Sequence, residues 1–332
     1  FNVPVVGAAG SAVFAANCIG YLPNISGEIR RSLNDGVSWT TTGFTDLWVK
    51  AIAANGNTIF AGTTFATGGG YLYISTNNGT TWNPVSIGSG VFSLAIEGNT
   101  IYAGTYNQGV YRSTNNGLNW NQTSLNNQYV VSLSCSGNNV YAGTYYDGIY
   151  CSTNNGSSWF HPSLSTGKVY CNISNVNYVM MGTVYGVYVS SNLGLNWTQR
   201  NEGMGNYDIY SLLIFNNYIY AGRGGVYRRL LSEIVGIEPV TNEISSQYSL
   251  SQNYPNPFNP KTQIDFSLPK ECNVRLEIYG LSGAFIGTPF NGYLKAGSYK
   301  TEFDGADLSS GVYFYRLTTE NYTATKKMLL IK

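Results

Sequence analysis

Ser113-Thr114-Asn115-Asn116-Gly117-Leu118-Asn119-Trp120 is one of five near-copies of the same eight-residue pattern. It returns with small changes at residues 75–82 (STNNGTTW), 152–159 (STNNGSSW), 190–197 (SSNLGLNW) and 32–39 (SLNDGVSW). Ser-x-Asn-x-Gly with a Trp three residues later has the chemistry of a turn between strands. The Asn side chain hydrogen-bonds the turn backbone, Gly tolerates a positive φ, and the indole packs back beneath the loop. The defining residues are Ser32, Asn34, Gly36 and Trp39; Ser75, Asn77, Gly79 and Trp82; Ser113, Asn115, Gly117 and Trp120; Ser152, Asn154, Gly156 and Trp159; and Ser190, Asn192, Gly194 and Trp197.

Around these turns the chain repeats at about 39 residues over its first 230 positions, the length of a four-stranded propeller blade. One unit reads most clearly from residue 91 to residue 120. VFSLAIEG is a first strand, NTIYAGT a second and GVYRST a third, and the fourth follows the Trp. The turn resembles the Asp-box, or BNR repeat, of β-propeller blades, and this resemblance implies a fold without implying a chemistry. Small residues recur in the second strand at Ala16, Gly62, Gly104, Gly143, Gly182 and Gly222, where sheets converging on an axis need short side chains. The third strand carries an apolar column, Ile29, Leu72, Val110, Ile149, Val187 and Val226. Beside it runs a second column, Arg30, Tyr73, Tyr111, Tyr150, Tyr188 and Tyr227. Both columns fit packing between blades, and the tyrosines also fit a ligand-stacking surface.

Counting units gives roughly six blades. The sixth lacks the turn and the Trp, so its fourth strand is expected either just after residue 231 or from the chain's first five residues. A first residue of Phe agrees with removal of a leader peptide. Residues 231–247 (LSEIVGIEPVTNEISSQ) gather acidic residues and a proline and read as a linker.

From residue 248 short alternating strands punctuated by glycines replace the repeat, the pattern of a small β-sandwich. YPNPFNP (254–260), LPK (268–270), EIYGLSG (277–283), AGSY (296–299), LSSGVYFYRL (308–317) and KKMLLIK (326–332) follow in order. Together they resemble the type A C-terminal sorting domain of type IX secretion cargo, over essentially all of residues 248–332. The resemblance implies an immunoglobulin-like sandwich read by an outer-membrane translocon, with Pro255, Asn256, Pro257, Phe258, Gly311, Tyr313, Lys326, Lys327 and Lys332 carrying the signal. It also implies an extracellular or outer-surface location on a diderm bacterium, with the domain cleaved off or retained.

Composition limits the partners. Only 11% of residues are charged and the net charge is +1, against about 25% charged in ordinary domains. Such a surface lacks the basic field that nucleic acid or an anionic membrane requires, and its weak self-repulsion suits association. No apolar run is long enough to span a membrane. Five cysteines without a C-x-x-C spacing argue against a metal knuckle or a disulfide framework. By register Cys135 is a buried small residue and Cys151, standing where Arg112 stands, an exposed one; a Cys151–Cys171 bridge is conceivable.

Asp-box propellers include sialidase-like and xyloglucanase-like glycosidases, which is the alternative reading. A glycosidase needs two carboxyls about 5 to 10 Å apart, and Asp46, Asp147 and Asp208 are the residues placed to converge on one rim. Arg223, Arg228 and Arg229 form either a carboxylate-binding trio or a solvated strand edge. His161 is the only histidine, which removes a zinc site and an obvious Ser/His pair. The expectation is an all-β, non-enzymatic protein without metal or cofactor: a roughly six-bladed Asp-box propeller (1–230), a linker (231–247) and the sorting sandwich (248–332). It acts by binding glycan or protein through a loop rim of Tyr106, Tyr145, Tyr146, Asp147 and Tyr185, or by assembling into homo-oligomers or filaments. The lengthened loop after Cys18 favours the former, the low charge the latter.

Overall fold

Among the described residues of the computed structural model, six antiparallel sheets follow in chain order from Val5 to Leu230. It describes residues 5–9, 12–19, 26–46, 48–65, 68–164, 166–175, 178–201, 203–216, 218–234, 237–241, 246–294 and 296–332. The first sheet holds strands Val5–Ala9, Ala12–Ile19, Ser26–Ser32 and Thr40–Asp46; the second holds Trp48–Asn55, Thr58–Thr64, Leu72–Ser75 and Asn83–Val85. The third is Val91–Glu97, Thr100–Thr105, Val110–Ser113 and Asn121–Gln122, as the alternation predicts. The fourth has Val130–Ser136, Asn139–Thr144 and Ile149–Ser152, with a single bridge from Cys151 to Phe160 in place of the last strand. The fifth has Val169–Ser174, Val179–Thr183, Gly186–Ser190 and Thr198–Gln199. The sixth has Ser211–Phe215, Tyr218–Gly222 and Val226–Leu230.

The chain divides into two compact units. One comprises residues 1–176, 181–186 and 206–211; the other comprises 177–180, 187–205 and 212–332. Within the first unit the leading strands of successive sheets lie side by side in chain order. A core fills each gap between the first four sheets. Phe14 and Ile29 meet Val49 and Ile59; Phe60 and Leu72 meet Val91 and Ile101; Tyr102 and Val110 meet Val130 and Val140. Burying each such side chain is worth about 1.5–3 kcal/mol, so the stack of sheets is held by its faces.

The second-strand glycines mark the closest approach. A Cβ on Gly62 would lie 2.6 Å from Val91 Cγ1, on Gly104 2.6 Å from Val130 Cγ1, on Gly143 2.6 Å from Val169 Cγ1, and on Gly182 2.7 Å from the Ile209 carbonyl. The tyrosine column packs between sheets: Tyr73 meets Phe44 edge-on at 5.0 Å, and Tyr111 and Tyr150 pack against the adjoining cores.

Several expectations need correction. Val226 is 75% exposed, although its column partners from Ile29 to Val187 are buried. Among the described residues the sixth sheet has three strands, and residues 1–4, 235 and 236 of its two expected sources lie outside the described residues. Val5–Ala9 pairs with Ala12–Ile19, Leu231–Ile234 is a single helical turn, and Ile237–Thr241 pairs with Gly297–Asp304. The expected linker therefore supplies an edge strand to the C-terminal sheets, where Pro239 is tolerated because an edge leaves one row of backbone groups unpaired. Cys151 is fully buried, and Cys151 and Cys171 are free thiols. The backbone register with Arg112 holds, since Cys151 pairs with Phe160 as Arg112 pairs with Asn121, but the short thiol stays buried where the Arg112 guanidinium reaches out to the Asn155 carbonyl. The loop after Cys18 falls at residues 20–25, outside the described residues.

In the second unit two four-stranded sheets enclose one core. One orders Ile237–Thr241, Gly297–Asp304, Lys261–Leu268 and Ser249–Leu250; the other orders Phe285–Leu294, Cys272–Gly280, Gly311–Thr319 and Thr323–Leu330. Ile264, Phe266 and Leu268 of the first face Val274, Leu276 and Ile278 of the second. The proline-rich segment is knitted to the C-terminal strand. Phe258 is buried, its N–H donates to the Leu329 carbonyl (2.9 Å), and its carbonyl accepts from Ile331 (3.0 Å). Asn256 Oδ1 accepts from the Leu329 N–H at 2.9 Å.

Candidate binding rim

The strand order fixes which loops share an end. First strands run away from one end, second strands return to it, and third strands leave again toward the Asp-box turns. The turns therefore lie with the hairpins joining first and second strands. Asn78, Asn116 and Asn155 donate their N–H groups to the carbonyls of Asn57, Asn99 and Asn138 in those hairpins. The loops joining second to third strands and the starts of the first strands share the opposite end.

The Asp-box turns are structural devices. Ser113 Oγ donates to Asn115 Oδ1 (2.9 Å) and accepts from Gly117 N (2.9 Å), Asn115 Oδ1 accepts from Asn119 N (2.9 Å), and the Trp120 indole donates to the Gly117 carbonyl (3.0 Å). The same Ser–Gly bond holds Gly36, Gly79, Gly156 and Gly194. Trp159 is the exception among the five indoles, its buried N–H having no partner. The residue before each Gly also has a positive φ: Asp35, Asn78, Asn116, Asn155 and Leu193.

At the opposite end the first unit gathers aromatic side chains. Tyr129 stacks on Tyr145 at 5.0 Å and 5°, and meets Phe92 and Tyr106 edge-on at 4.9 and 4.8 Å. Tyr146 meets Tyr145 at 4.8 Å and is 69% exposed. The Lys168 ammonium lies over both the Tyr145 ring (3.8 Å) and the Tyr170 ring (4.3 Å), an attraction of charge to ring quadrupole. Tyr170 in turn meets Tyr210 at 4.7 Å, and both hydroxyls donate to Asp208 Oδ2, at 2.7 and 3.2 Å. Burial, then the neighbouring Tyr145, Tyr106 and Tyr146, push the Tyr129 hydroxyl up to about 12. Burial, then the hydrogen bond with Asp208, raises Tyr170. Both hydroxyls stay protonated near neutrality and remain hydrogen-bond donors.

Tyr106, Tyr145 and Tyr146 are thus brought together as the loop register predicts. Tyr185 is exposed at the same end, its N–H bonded to Thr183 Oγ1 at 3.0 Å. Asp147 lies beside His161, whose Nε2 sits 2.6 Å from the Asp147 carbonyl oxygen and whose ring packs 4.7 Å from Tyr150. The Asp46 side chain lies outside the described residues. Arg228 and Arg229, as neighbours on one strand, point to opposite faces, and Arg228 covers the Tyr218 ring at 4.6 Å. Phe92, Tyr129, Lys168, Tyr170 and Tyr210 were not singled out by sequence. Their signal was an aromatic at or beside the first position of each leading strand, in GVFS, QYVV, KVYC and DIYS. Among the described residues no group of three His, Cys, Asp or Glu side chains is placed to hold a metal, and no helix is long and apolar enough to cross a membrane.

Residues 252–332 match the family model of the secretion system C-terminal sorting domain, and residues 73–84 match that of the BNR/Asp-box repeat. A C-terminal sorting domain marks the chain for export, through the type IX machinery, to the outer cell surface or extracellular space of a Bacteroidetes-type bacterium. No curated protein matches the chain in sequence. Among solved structures, YCF48 bound to D1 peptide is similar over 68% of this chain and 77% of its own (14% identity, TM-score 0.50). YCF48 from Cyanidioschyzon merolae is similar over 90% and 95% (12% identity, TM-score 0.51). The extracellular domain of the hybrid two-component system BT4673 from B. thetaiotaomicron is similar over 97% of this chain and 49% of its own (13% identity, TM-score 0.51). These likenesses are propeller-like, and with the BNR match they make the fold an all-β propeller.

Proposed function

We propose that this exported protein is a non-enzymatic binding protein whose aromatic rim engages a glycan or protein outside the cell. The observation that carries the reading is the continuous run from Phe92 and Tyr106 through Tyr129, Tyr145 and Lys168 to Tyr170 and Tyr210. Large rings with protonated hydroxyls give contact area at low entropic cost, together with hydrogen bonds. Asp208 is engaged by two tyrosine hydroxyls, and the His161 ring by the Asp147 carbonyl, which suits a fixed surface better than acid–base catalysis. That YCF48, a similar fold, was solved with a peptide bound agrees with a propeller acting as a docking body. The test is retention of the labelled protein on extracellular polysaccharide and protein fractions of the exporting bacterium. Tyr146→Ser with Tyr210→Ser should abolish retention and the recovered ligand should be chemically intact. Undiminished retention, or cleaved ligand, defeats the reading.

Self-association is the second reading. Leu213, Phe215 and Val226 of the sixth sheet are exposed. Register with Ala95 and Val110 puts them on the face that the third sheet buries against its neighbour. Light scattering on the full chain, beside Phe215→Ser, decides it: a concentration-dependent oligomer lost in the variant supports assembly, and a monomer at every concentration removes it.

A further inference from the structure

We infer that the rim takes an uncharged polysaccharide, a deduction that rests on the binding reading above and narrows it to one ligand class. Within the first compact unit the formal charges of the described rim from Phe92 to Tyr210 are those of Lys168, Asp147 and Asp208, and Arg200, at the end of the fifth sheet's last strand in the second unit, already gives its Nε–H to the Ile234 carbonyl. The Lys168 ammonium is already covered by two rings, and Asp208 already accepts from two hydroxyls. An anionic sugar or acidic peptide would have to compete for that single ammonium. Recognition of carboxylates or sulfates normally recruits forked arginines, and this run of residues contains none.

A peptide adding itself as a strand is disfavoured as well, because the backbone groups of the rim are paired internally. The N–H groups of Tyr106, Tyr145 and Val184 donate to the carbonyls of Gly90, Tyr129 and Lys168, closing each loop onto the start of its own blade's first strand, and Ile209 N–H donates to the Thr183 carbonyl of the preceding blade, so these groups offer no ladder to extend. What faces solvent is ring and hydroxyl, foremost Tyr146 and Tyr210. A pyranose matches that chemistry, having an apolar C–H face to lie on a ring and an equatorial fringe of hydroxyls to exchange hydrogen bonds with tyrosine. Successive rings about 5 Å apart suit a chain of sugars better than one residue.

The experiment is isothermal titration of the full chain with neutral hexasaccharides (β-1,4-glucan, β-1,3-glucan, β-1,4-xylan, β-1,4-mannan and α-1,4-glucan), with hexagalacturonate, and with a proline-rich decapeptide. Tyr146→Ala and Tyr210→Ala change exposed side chains, and circular dichroism checks their folding. Leu118→Ser, exposed on the Asp-box turn at the opposite end, is the control. We expect at least one neutral hexasaccharide to bind, with affinity reduced tenfold or more in each tyrosine variant and unchanged in Leu118→Ser. Binding confined to hexagalacturonate or the peptide, yet lost in the tyrosine variants, overturns the neutral-glycan inference and leaves the rim as the binding surface. Binding that the tyrosine variants leave untouched, or no binding to any probe, overturns both.

Discussion

Gly143→Ala tests the stacking of the sheets more sharply than any core truncation. The new Cβ would lie 2.6 Å from Val169 Cγ1 and 3.0 Å from Val169 Cβ, and would collide with Ser132 Oγ. The Ser132 hydroxyl can rotate away. Val169 cannot, since it is β-branched, fully buried and the first residue of the next sheet's leading strand. The strand itself must retreat by several tenths of an ångström. Overpacking of this kind costs about 1–3 kcal/mol. Reduced freedom of the unfolded chain returns about 0.4–1 kcal/mol, so a net loss of about 1–2 kcal/mol is expected. Urea unfolding followed by tryptophan fluorescence should show a lower midpoint with an unchanged slope. Val169→Ala in the same chain should relieve the clash, making the double variant less damaged than the sum of the singles by about 0.5 kcal/mol or more. A neutral or stabilising Gly143→Ala, or strict additivity, would refute the packing derived for the whole glycine series.

Three further outcomes follow from particular residues. Ser113→Ala removes a fully buried hydroxyl and strands the buried Gly117 N–H, so urea midpoints should report a loss of about 1–3 kcal/mol; an unchanged midpoint would reduce the Asp-box to a sequence ornament. Leu193→Asn replaces the one leucine (φ 61°) at a place where the sister turns use Asp or Asn, and should stabilise by about 1 kcal/mol in thermal melts; a lower melting temperature contradicts this. Burial pushes the Cys135, Cys151 and Cys171 thiols up to about 12. The unfolded chain therefore releases these protons first, and folding stability should fall as pH rises above about 9, towards 12. Ellman's reagent at pH 8 should leave these three thiols unmodified until urea is added.

What was legible in the sequence is what depends on short-range chemistry. Ser, Asn, Gly and Trp within eight residues specify the turn almost alone, and the small-residue step of the second strand shows where sheets meet. The rim was half legible. Loop register found Tyr106, Tyr145 and Tyr146, but Tyr170 reaches Asp208 across 38 residues. Phe92 and Tyr210 read as ordinary strand alternation, because period two cannot tell a packed ring from an exposed one. Register put Cys151 where Arg112 stands, but register carries backbone pairing and not side-chain reach, and Ile237–Thr241 looked like linker because its pairing partner, Gly297–Asp304, lies some 60 residues on.

The proposed rim binds without cutting. Native gel electrophoresis of the full chain through soluble neutral polysaccharides, with a reducing-end assay on the same mixtures, tests it most directly. Migration should be retarded in at least one polysaccharide and restored to normal mobility by Tyr146→Ala with Tyr210→Ala, with no new reducing ends. New reducing ends, or unchanged mobility in every polysaccharide, would contradict it.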